Sequence, residues 1–550
     1  NWDTTENLYI EGDNLEVLKL LQESYLGKVK MIYIDPPYNT GNDFVYNDCF
    51  SNSIENYKKQ TNQTASSNPE SNGRFHTDWL NMMYPRLILA KNLLKDDGVI
   101  FISIDDNEID NLKKICSEIF GEKNLVAEIP WQSRSSIQND TDFSVNHEYI
   151  CVYAKKRRIE NRRLKESNSN EWHNRDTFVC KPLPLDKNKF ENLDNDPRGP
   201  WKADPFDAPN IRPNLTYMVV NPLTGDKYFP PKGRHWRISS DKFDNALKDG
   251  RIIFGKNGTG RPLLKSFYEE KKEYGSIDNS WFSSEKVGTT SSGTKEVMSL
   301  FDGDVLFDKP KPTTLLTKLI TLANVQSDDI ILDFFSGSAT TAHAAMKINI
   351  AEHTTLKFIL VQLPETCDVK SDAYKDGYRS ICDIGEERIR RAGEQIKAEW
   401  EKEHNSDGLF ANEEKFNTDI GFKVFKLDST NIVPWDTTSE FSEDNLWNVA
   451  DVFKPDRSKE DILYEIMLKY GVFDKQVEEI EVNNKTMYRI GRRYMIVCLE
   501  DKITSEDVKA IAELAPKNVI FKESGFIDDN AKINAVYNLE KVGIKDIKCI

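Results

Sequence analysis

Four consecutive residues, Asp35, Pro36, Pro37 and Tyr38, join a carboxylate, two locked backbone angles and an aromatic ring. The apolar run Val29 to Ile34 before them predicts a buried strand. Two prolines cannot extend a central strand, so the chain must turn there and present Asp35 and Tyr38 at the strand's carboxyl end. That set suits an exocyclic amine. The amino nitrogen of a base such as adenine is a poor nucleophile because its lone pair is delocalised into the ring. Two acceptors against its N–H groups, the Asp35 carboxylate and the Pro36 carbonyl, would draw the nitrogen towards tetrahedral geometry and localise that pair without a strong base. Tyr38 would stack on a purine swung out of a duplex.

A second segment, Asp333, Phe334, Phe335, Ser336, Gly337, Ser338 and Ala339, follows the strand pattern Ile330 to Leu332 and precedes a helix. Its small residues let backbone approach a ligand closely, and a helix amino terminus favours an anionic group. It is also an ordinary strand-to-helix turn in many folds. Neither GxGxxG nor GxxxxGK(S/T) occurs, which argues against nicotinamide and phosphate-loop readings.

These two turns need elements to position them. Leu8 to Ile10 reads as a strand, and Leu15, Leu18 and Leu21 as one face of a helix. A helix from Trp79 ending near Gly98, a strand Val99 to Ile104, a helix through Phe120, and strands near Val126 to Trp131 and Tyr149 to Lys156 follow. The pattern returns with helix Thr313 to Ala323, strand Ile330 to Asp333, helix Ala339 to Met346, strand Leu356 to Leu363 and a charged helix, roughly Asp383 to Glu403. Such alternation predicts an α/β protein with a doubly wound, largely parallel sheet. Residues 51–74, rich in Ser, Asn, Gln and Thr, read as a mobile loop placed like a lid after the Asp35 turn. Residues 196–262 are dense in Pro and Gly and interleaved with aromatics, which marks a different, loop-rich domain. The tail from Gly421 reads as a small α/β module.

The chain has 550 residues, 38% hydrophobic and 30% charged, with mean hydropathy −0.60 and no apolar run long enough to span a membrane. That predicts a soluble protein; Asn1 to Asn7 show no export signal, and the cysteine usage points to the cytoplasm. Cys49, Cys116, Cys151, Cys180, Cys367, Cys382, Cys498 and Cys549 form no CxxC pair and have no His at metal spacing, so they read as reduced thiols. The net charge of −16 argues mildly against a polyanion partner, but residues 151–300 hold 28 Lys and Arg against 20 Asp and Glu. That surplus of 8 leaves −24 on the other 400 residues, and a cationic middle between acidic flanks points to an anionic ligand.

Weaker signals remain open between function and structure. Arg234, Trp236 and Arg237, in the stretch Lys232 to Arg237, could touch phosphates or base edges or form a solvated loop. Arg157, Arg158, Arg162 and Arg163 read as a wet helix face or a phosphate contact. His76 and His147 read as hydrogen-bonded, with no metal site expected. Trp79 and Trp131 read as core.

The strings GDNLEVLKLL (12–21), IDPPYNTGNDFVYND (34–48), ISIDDNE (102–108), HEYICVYAKK (147–156), FDKPKPTTLL (307–316), ILDFFSGSATTAHA (331–344) and GFKVFKLDSTN (421–431) resemble DNA adenine-N6 methyltransferases with the DPPY motif before the FxGxG motif. More narrowly, the chain is similar to the modification (Mod) subunits of type III restriction-modification systems. The resemblance implies a Rossmann-like methyltransferase domain in two halves (1–150 and 301–420), an inserted DNA target-recognition domain (151–300) and a C-terminal module (421–550). By the same resemblance Asp35, Pro36, Pro37 and Tyr38 form the catalytic turn. Asp333, Phe335 and Gly337 line the S-adenosylmethionine pocket, Lys311, Pro312 and Thr313 help enclose it, and Asp13 lies near the adenine ring of the cosubstrate. Gln362 or Glu365 would hold its ribose diol. Double-stranded DNA, a homodimer, a helicase-nuclease restriction partner and a bacterial nucleoid location are the implied surroundings. Two departures stand out: Ala339 replaces the last glycine of FxGxG, and the ribose acid is displaced to Glu365. Ala339 is tolerable at negative φ and costs about 1 kcal/mol or more at positive φ. Cytosine-N4 methylation, or a catalytically weak recognition subunit, are the competing readings.

Overall fold

The computed structural model describes residues 2, 4–40, 69–137, 139, 141–157, 179–255, 257–272, 275–404, 416–433 and 452–550, with backbone alone at 69–75. The chain forms two compact units, Asn1–Arg157 with Ser280–Ile550, and Arg158–Asn279.

The strands of the first half are β1 (Leu8–Glu11), β2 (Val29–Ile34), β3 (Leu94–Ile104), β4 (Leu125–Trp131) and β5 (Glu148–Ala154). The smaller unit holds β6 (Trp201–Pro205), β7 (Asp207–Pro209), β8 (Val219–Val220), β9 (Lys227–Tyr228), β10 (Arg234–Trp236), β11 (Ile252–Phe254) and β12 (Pro262–Phe267). The second half supplies β13 (Ile330–Asp333), β14 (Lys357–Gln362) and β15 (Lys423–Lys426).

An eight-stranded sheet runs β15-β1-β14-β13-β2-β3-β5-β4. Its ladders are parallel except where β5 lies between β3 and β4, antiparallel to both. β13 and β2 are central neighbours, with Leu332 opposite Ile32, although some 300 residues separate them in sequence. From this seam β14 lies to one side and β3 to the other, which makes it the point where a doubly wound sheet opens a crevice at its carboxyl edge. Both candidate turns leave from that edge. Every residue of β2 is buried, as a central strand covered on both faces requires. The core beneath joins Ile32, Ile34, Trp79, Met83, Ile100, Leu332 and Phe335. Trp79 and Trp131 are fully buried, as expected.

Several boundaries differ from the sequence reading. The helix Pro69–Leu93 starts inside the expected loop 51–74, with Pro69 at its first turn, where a missing N–H costs nothing. The remainder of that loop, 51–68, lies outside the described residues, as do Arg158, Arg162, Arg163 and Cys49. β3 begins at Leu94 rather than Val99, because Leu94 already pairs with Val29. β15 belongs to the large sheet and not to a tail module, pairing Lys423 to Lys426 with Leu8 to Glu11. The module proper is a five-stranded sheet, β16 (Val477–Val482), β17 (Lys485–Ile490), β18 (Met495–Cys498), β19 (Asn518–Phe521) and β20 (Asp546–Cys549), in that spatial order.

The smaller unit is narrower than the expected 151–300. Residues 151–154 lie in β5, and Phe282 is buried and bridged to Trp131. The helix Thr290–Leu300 likewise belongs to the larger unit, its Glu296 accepting from the Thr313 N–H at 2.9 Å. The smaller unit carries its own core of Phe206, Val219, Trp236, Phe243, Ile252 and Phe254. Among the described residues no helix is long and apolar enough to cross a membrane.

Candidate active site

Pro36 and Pro37 end β2 as the sequence required, and the turn is anchored from below. The Trp79 indole N–H donates to the Pro37 carbonyl at 2.7 Å. The Pro36 carbonyl accepts no hydrogen bond from the described residues and so keeps its lone pairs for a ligand donor. Asp35 is engaged on both oxygens. Tyr38 Oη donates to Oδ1 at 2.8 Å, and Lys311 Nζ donates to Oδ2 at 2.7 Å. Lys311 also donates to Tyr38 Oη at 2.9 Å and lies 3.5 Å from Glu148 Oε2. The Tyr38 hydroxyl is within 3.0 Å of the same Glu148 oxygen.

Burial pushes the Lys311 pKa down, but the Asp35 and Glu148 carboxylates outweigh it and leave it raised. Lys311 is therefore a buried cation, neutralising one of two carboxylates. Burial, with Asp35 and Glu148 adding to it, holds the Tyr38 phenol well above its ordinary pKa, so it stays a neutral hydrogen donor.

Across the seam, the turn after β13 is built tightly. Asp333 accepts from the Thr341 hydroxyl at 2.5 Å and the Phe335 N–H at 3.1 Å. Burial nevertheless raises its pKa to about 7, and the Asp35 charge adds to the rise, which couples the two turns electrostatically. The Gly337 N–H donates to Gln362 Oε1 at 2.7 Å. A Cβ on Gly337 would lie 3.1 Å from the Phe307 ring, at a φ of +49°. Ala339 is left-handed, φ 61° and ψ 35°, and fully buried, so the strained alternative of the two expected for it is the one realised.

S-adenosylmethionine needs donors and acceptors around a close backbone turn. Ser336 offers a buried hydroxyl beside that of Tyr9, and the half-buried Glu365 a carboxylate with no ion pair among the described residues. Burial raises the Glu365 pKa. The residues present fit that group.

Other expected site residues also make contacts within the fold. Asp13 caps the helix Asn14–Tyr25, accepting from Leu15 and Glu16 N–H groups, and its other oxygen meets Arg86 at 3.3 Å. Asn14, which the sequence reading passed over, donates to the Phe334 carbonyl at 2.6 Å and so ties that helix to the β13 turn. Gln362 supports the Gly337 backbone. Pro312 precedes the helix Thr313–Leu322, and Thr313 is buried with its hydroxyl accepting from Lys347 at 3.0 Å. Lys311 reaches the Asp35 turn, and its carbonyl also accepts from Thr340, at 3.3 Å.

Trp236 is a correction: it is buried at 1%, stacked on Phe206, with its indole N–H on the Tyr217 carbonyl, and is core of the smaller unit. Arg234 is ion-paired with Asp207. Arg237 is exposed. His76 bonds Glu108 at 2.6 Å and His147 bonds Tyr149 at 3.0 Å, and among the described residues no group of side chains could hold a metal ion.

Glu148 was missed. It is the first residue of β5, and an antiparallel strand brings its beginning to the edge where parallel strands bring their ends. The only signal was its place in the HEYICVYAKK string.

The carboxyl-edge crevice between the Asp35 turn and the glycine-containing turn after β13 makes this a doubly wound α/β protein with its candidate ligand site where the strand order reverses. A model described as DNA methylase matches residues 29–392. The type III restriction-modification enzyme StyLTI Mod subunit of Salmonella typhimurium is 37% identical over 431 residues, 77% of this chain and 60% of that one. The EcoP15I Mod subunit of Escherichia coli is 31% identical and the EcoPI Mod subunit of Escherichia phage P1 32% identical, each over 95% of this chain and 81% of its own length. A solved complex of M1.HpyAVI with SAM is 12% identical, covers 69% of this chain and 98% of that one, and gives a TM-score of 0.29. The chain belongs to the DNA methylase family, and within it to the modification subunits of type III restriction-modification enzymes.

Proposed function

We propose that this chain methylates adenine N6 at a specific site in duplex DNA, as the modification subunit of a type III restriction-modification system. The observation that carries the reading is the part-buried cluster of Asp35 and Tyr38, just after β2, with the buried Lys311, beside the Ser336 turn that follows the neighbouring strand β13. An extruded adenine would stack on Tyr38 and give its N–H groups to Asp35 and the Pro36 carbonyl. Ser336, the Gly337 backbone and Glu365 would hold S-adenosylmethionine, which when bound supplies an electrophilic methyl group. The turn then contributes position and hydrogen bonding, with no covalent protein intermediate. Residues 158–279 would read the DNA site, with Arg237 as a contact.

Asp35→Ala is expected to abolish labelling of DNA by methyl-tritiated S-adenosylmethionine while duplex binding survives; a variant that labels DNA at the full rate ends the assignment. Mass spectrometry of the digested product separates N6-methyladenine from N4-methylcytosine, and Asp as the first residue of the tetrapeptide favours adenine. A restriction subunit, a homodimer and a cytoplasmic, nucleoid-associated location belong to the same proposal, and the similarity to type III Mod subunits supports the first of them.

The left-handed Ala339 favours a second reading, in which weak cosubstrate binding leaves the chain mainly a recognition subunit. Calorimetry decides between them, since that reading requires no S-adenosylmethionine binding at millimolar ligand.

A further inference from the structure

The Asp35 carboxylate must accept from the amino group of the target base, yet both of its oxygens are already occupied. Lys311 on Oδ2 is a fixed partner: it is buried and surrounded by acceptors. Tyr38 on Oδ1 is different, because its hydroxyl has one hydrogen and two carboxylates within reach, Asp35 at 2.8 Å and Glu148 at 3.0 Å. Rotation about the phenol C–O bond moves that hydrogen from one to the other without displacing the ring. Resting on the methyl-transfer reading above, we propose that Glu148 is a positioning residue for the reaction: it takes the Tyr38 hydroxyl hydrogen when a base arrives and so clears Asp35 Oδ1 to accept the base's N–H.

The arrangement is asymmetric in a way that serves this exchange. Lys311 holds Oδ2 and also donates to Tyr38 Oη at 2.9 Å, so the carboxylate stays oriented while its other oxygen is freed. Glu148, 3.5 Å from Lys311 and at the start of β5, is tethered to the same ammonium and needs no movement to accept. In a chain lacking this acceptor, the hydroxyl would have Asp35 alone among these carboxylates, and every incoming amine would compete with it.

The test is a double-mutant cycle in single-turnover methylation of unmethylated duplex DNA. Glu148→Met, which has similar length and no comparable acceptor, is expected to slow transfer roughly 10- to 100-fold. Binding of S-adenosylmethionine and of duplex, measured separately, is expected to stay within about twofold. Glu148→Gln keeps an acceptor oxygen and is expected to recover most of the rate. With Tyr38→Phe there is no hydroxyl to withdraw, so adding Glu148→Met is expected to cost nothing further. Should Glu148→Met fail to fold, Glu148→Gln with and without Tyr38→Phe makes the same comparison at smaller amplitude. Full activity of Glu148→Met, or an equal slowing in both Tyr38 backgrounds, overturns the inference and leaves the methyltransferase reading standing. A wild-type protein that labels no DNA overturns both.

Discussion

Lys311 Nζ lies 2.7 Å from Asp35 Oδ2, joining two residues 276 positions apart on either side of the chain's inserted unit. The contact places a buried cation against the Asp35 turn, between the Asp35 and Glu148 carboxylates. Removing the lysine leaves two part-buried carboxylates without their shared cation.

Lys311→Met is therefore expected to reduce DNA methylation on the order of 100-fold. S-adenosylmethionine affinity, read by calorimetry, is expected to hold. Loss of cosubstrate binding at an unchanged transfer rate would return Lys311 to the donor pocket that the sequence motif implied for it.

Ala339 holds a backbone conformation that glycine adopts at no Cβ cost. Ala339→Gly is expected to relieve roughly 1 kcal/mol of native-state strain, partly offset by the freer unfolded chain. Urea denaturation monitored in the larger unit checks the sign, and tighter binding of S-adenosylmethionine would accompany the relief.

Asp333, raised by burial to about 7, makes stability depend on pH. Between about pH 4 and 7 the folded state holds a proton that the unfolded state has released, so stability falls as pH rises through that window. The wild-type chain, compared with Asp333→Asn, is expected to lose on the order of 4 kcal/mol between pH 4 and pH 8. Parallel denaturation curves at the two pH values, with no change in the difference between wild type and variant, would refute this.

Trp236 and Arg237 are neighbours in opposite surroundings, one buried and one exposed. Trp236→Ala opens the core of the smaller unit and is expected to cost about 3–5 kcal/mol, read as rapid proteolysis within residues 179–279. Arg237→Ala is expected to leave proteolytic resistance unchanged and to weaken duplex binding with a smaller salt dependence. A protease-resistant Trp236→Ala would contradict its place in the core.

Much of the Asp35 turn was legible because its causes are local. A buried apolar run followed by two prolines can only stop and turn, so the carboxyl-end position of Asp35 and Tyr38 followed from chain stereochemistry alone. The β13 turn was legible for the same kind of reason, as a strand pattern running into small residues. The final glycine position could be read as a conditional but not resolved, since the sign of φ at Ala339 depends on what packs around the loop.

What needed tertiary structure was every relationship across the sheet. Side-chain period along one strand says nothing about which strand lies beside it, so the meeting of Asp35 with Lys311, and of Asn14 with Phe334, waited on the order β14-β13-β2-β3. Direction mattered as much as order: Glu148 reaches the active edge only because β5 runs against its neighbours, and nothing in seven residues of strand pattern states that direction. Burial decided Trp236 likewise. An aromatic between two arginines has the composition of a nucleic-acid contact, and the ring stacked on Phe206 made it core instead. Local stereochemistry fixed where the chain turns and which groups each turn carries; the pairing of distant strands, a cooperative outcome of packing the whole core, fixed which of those groups meet.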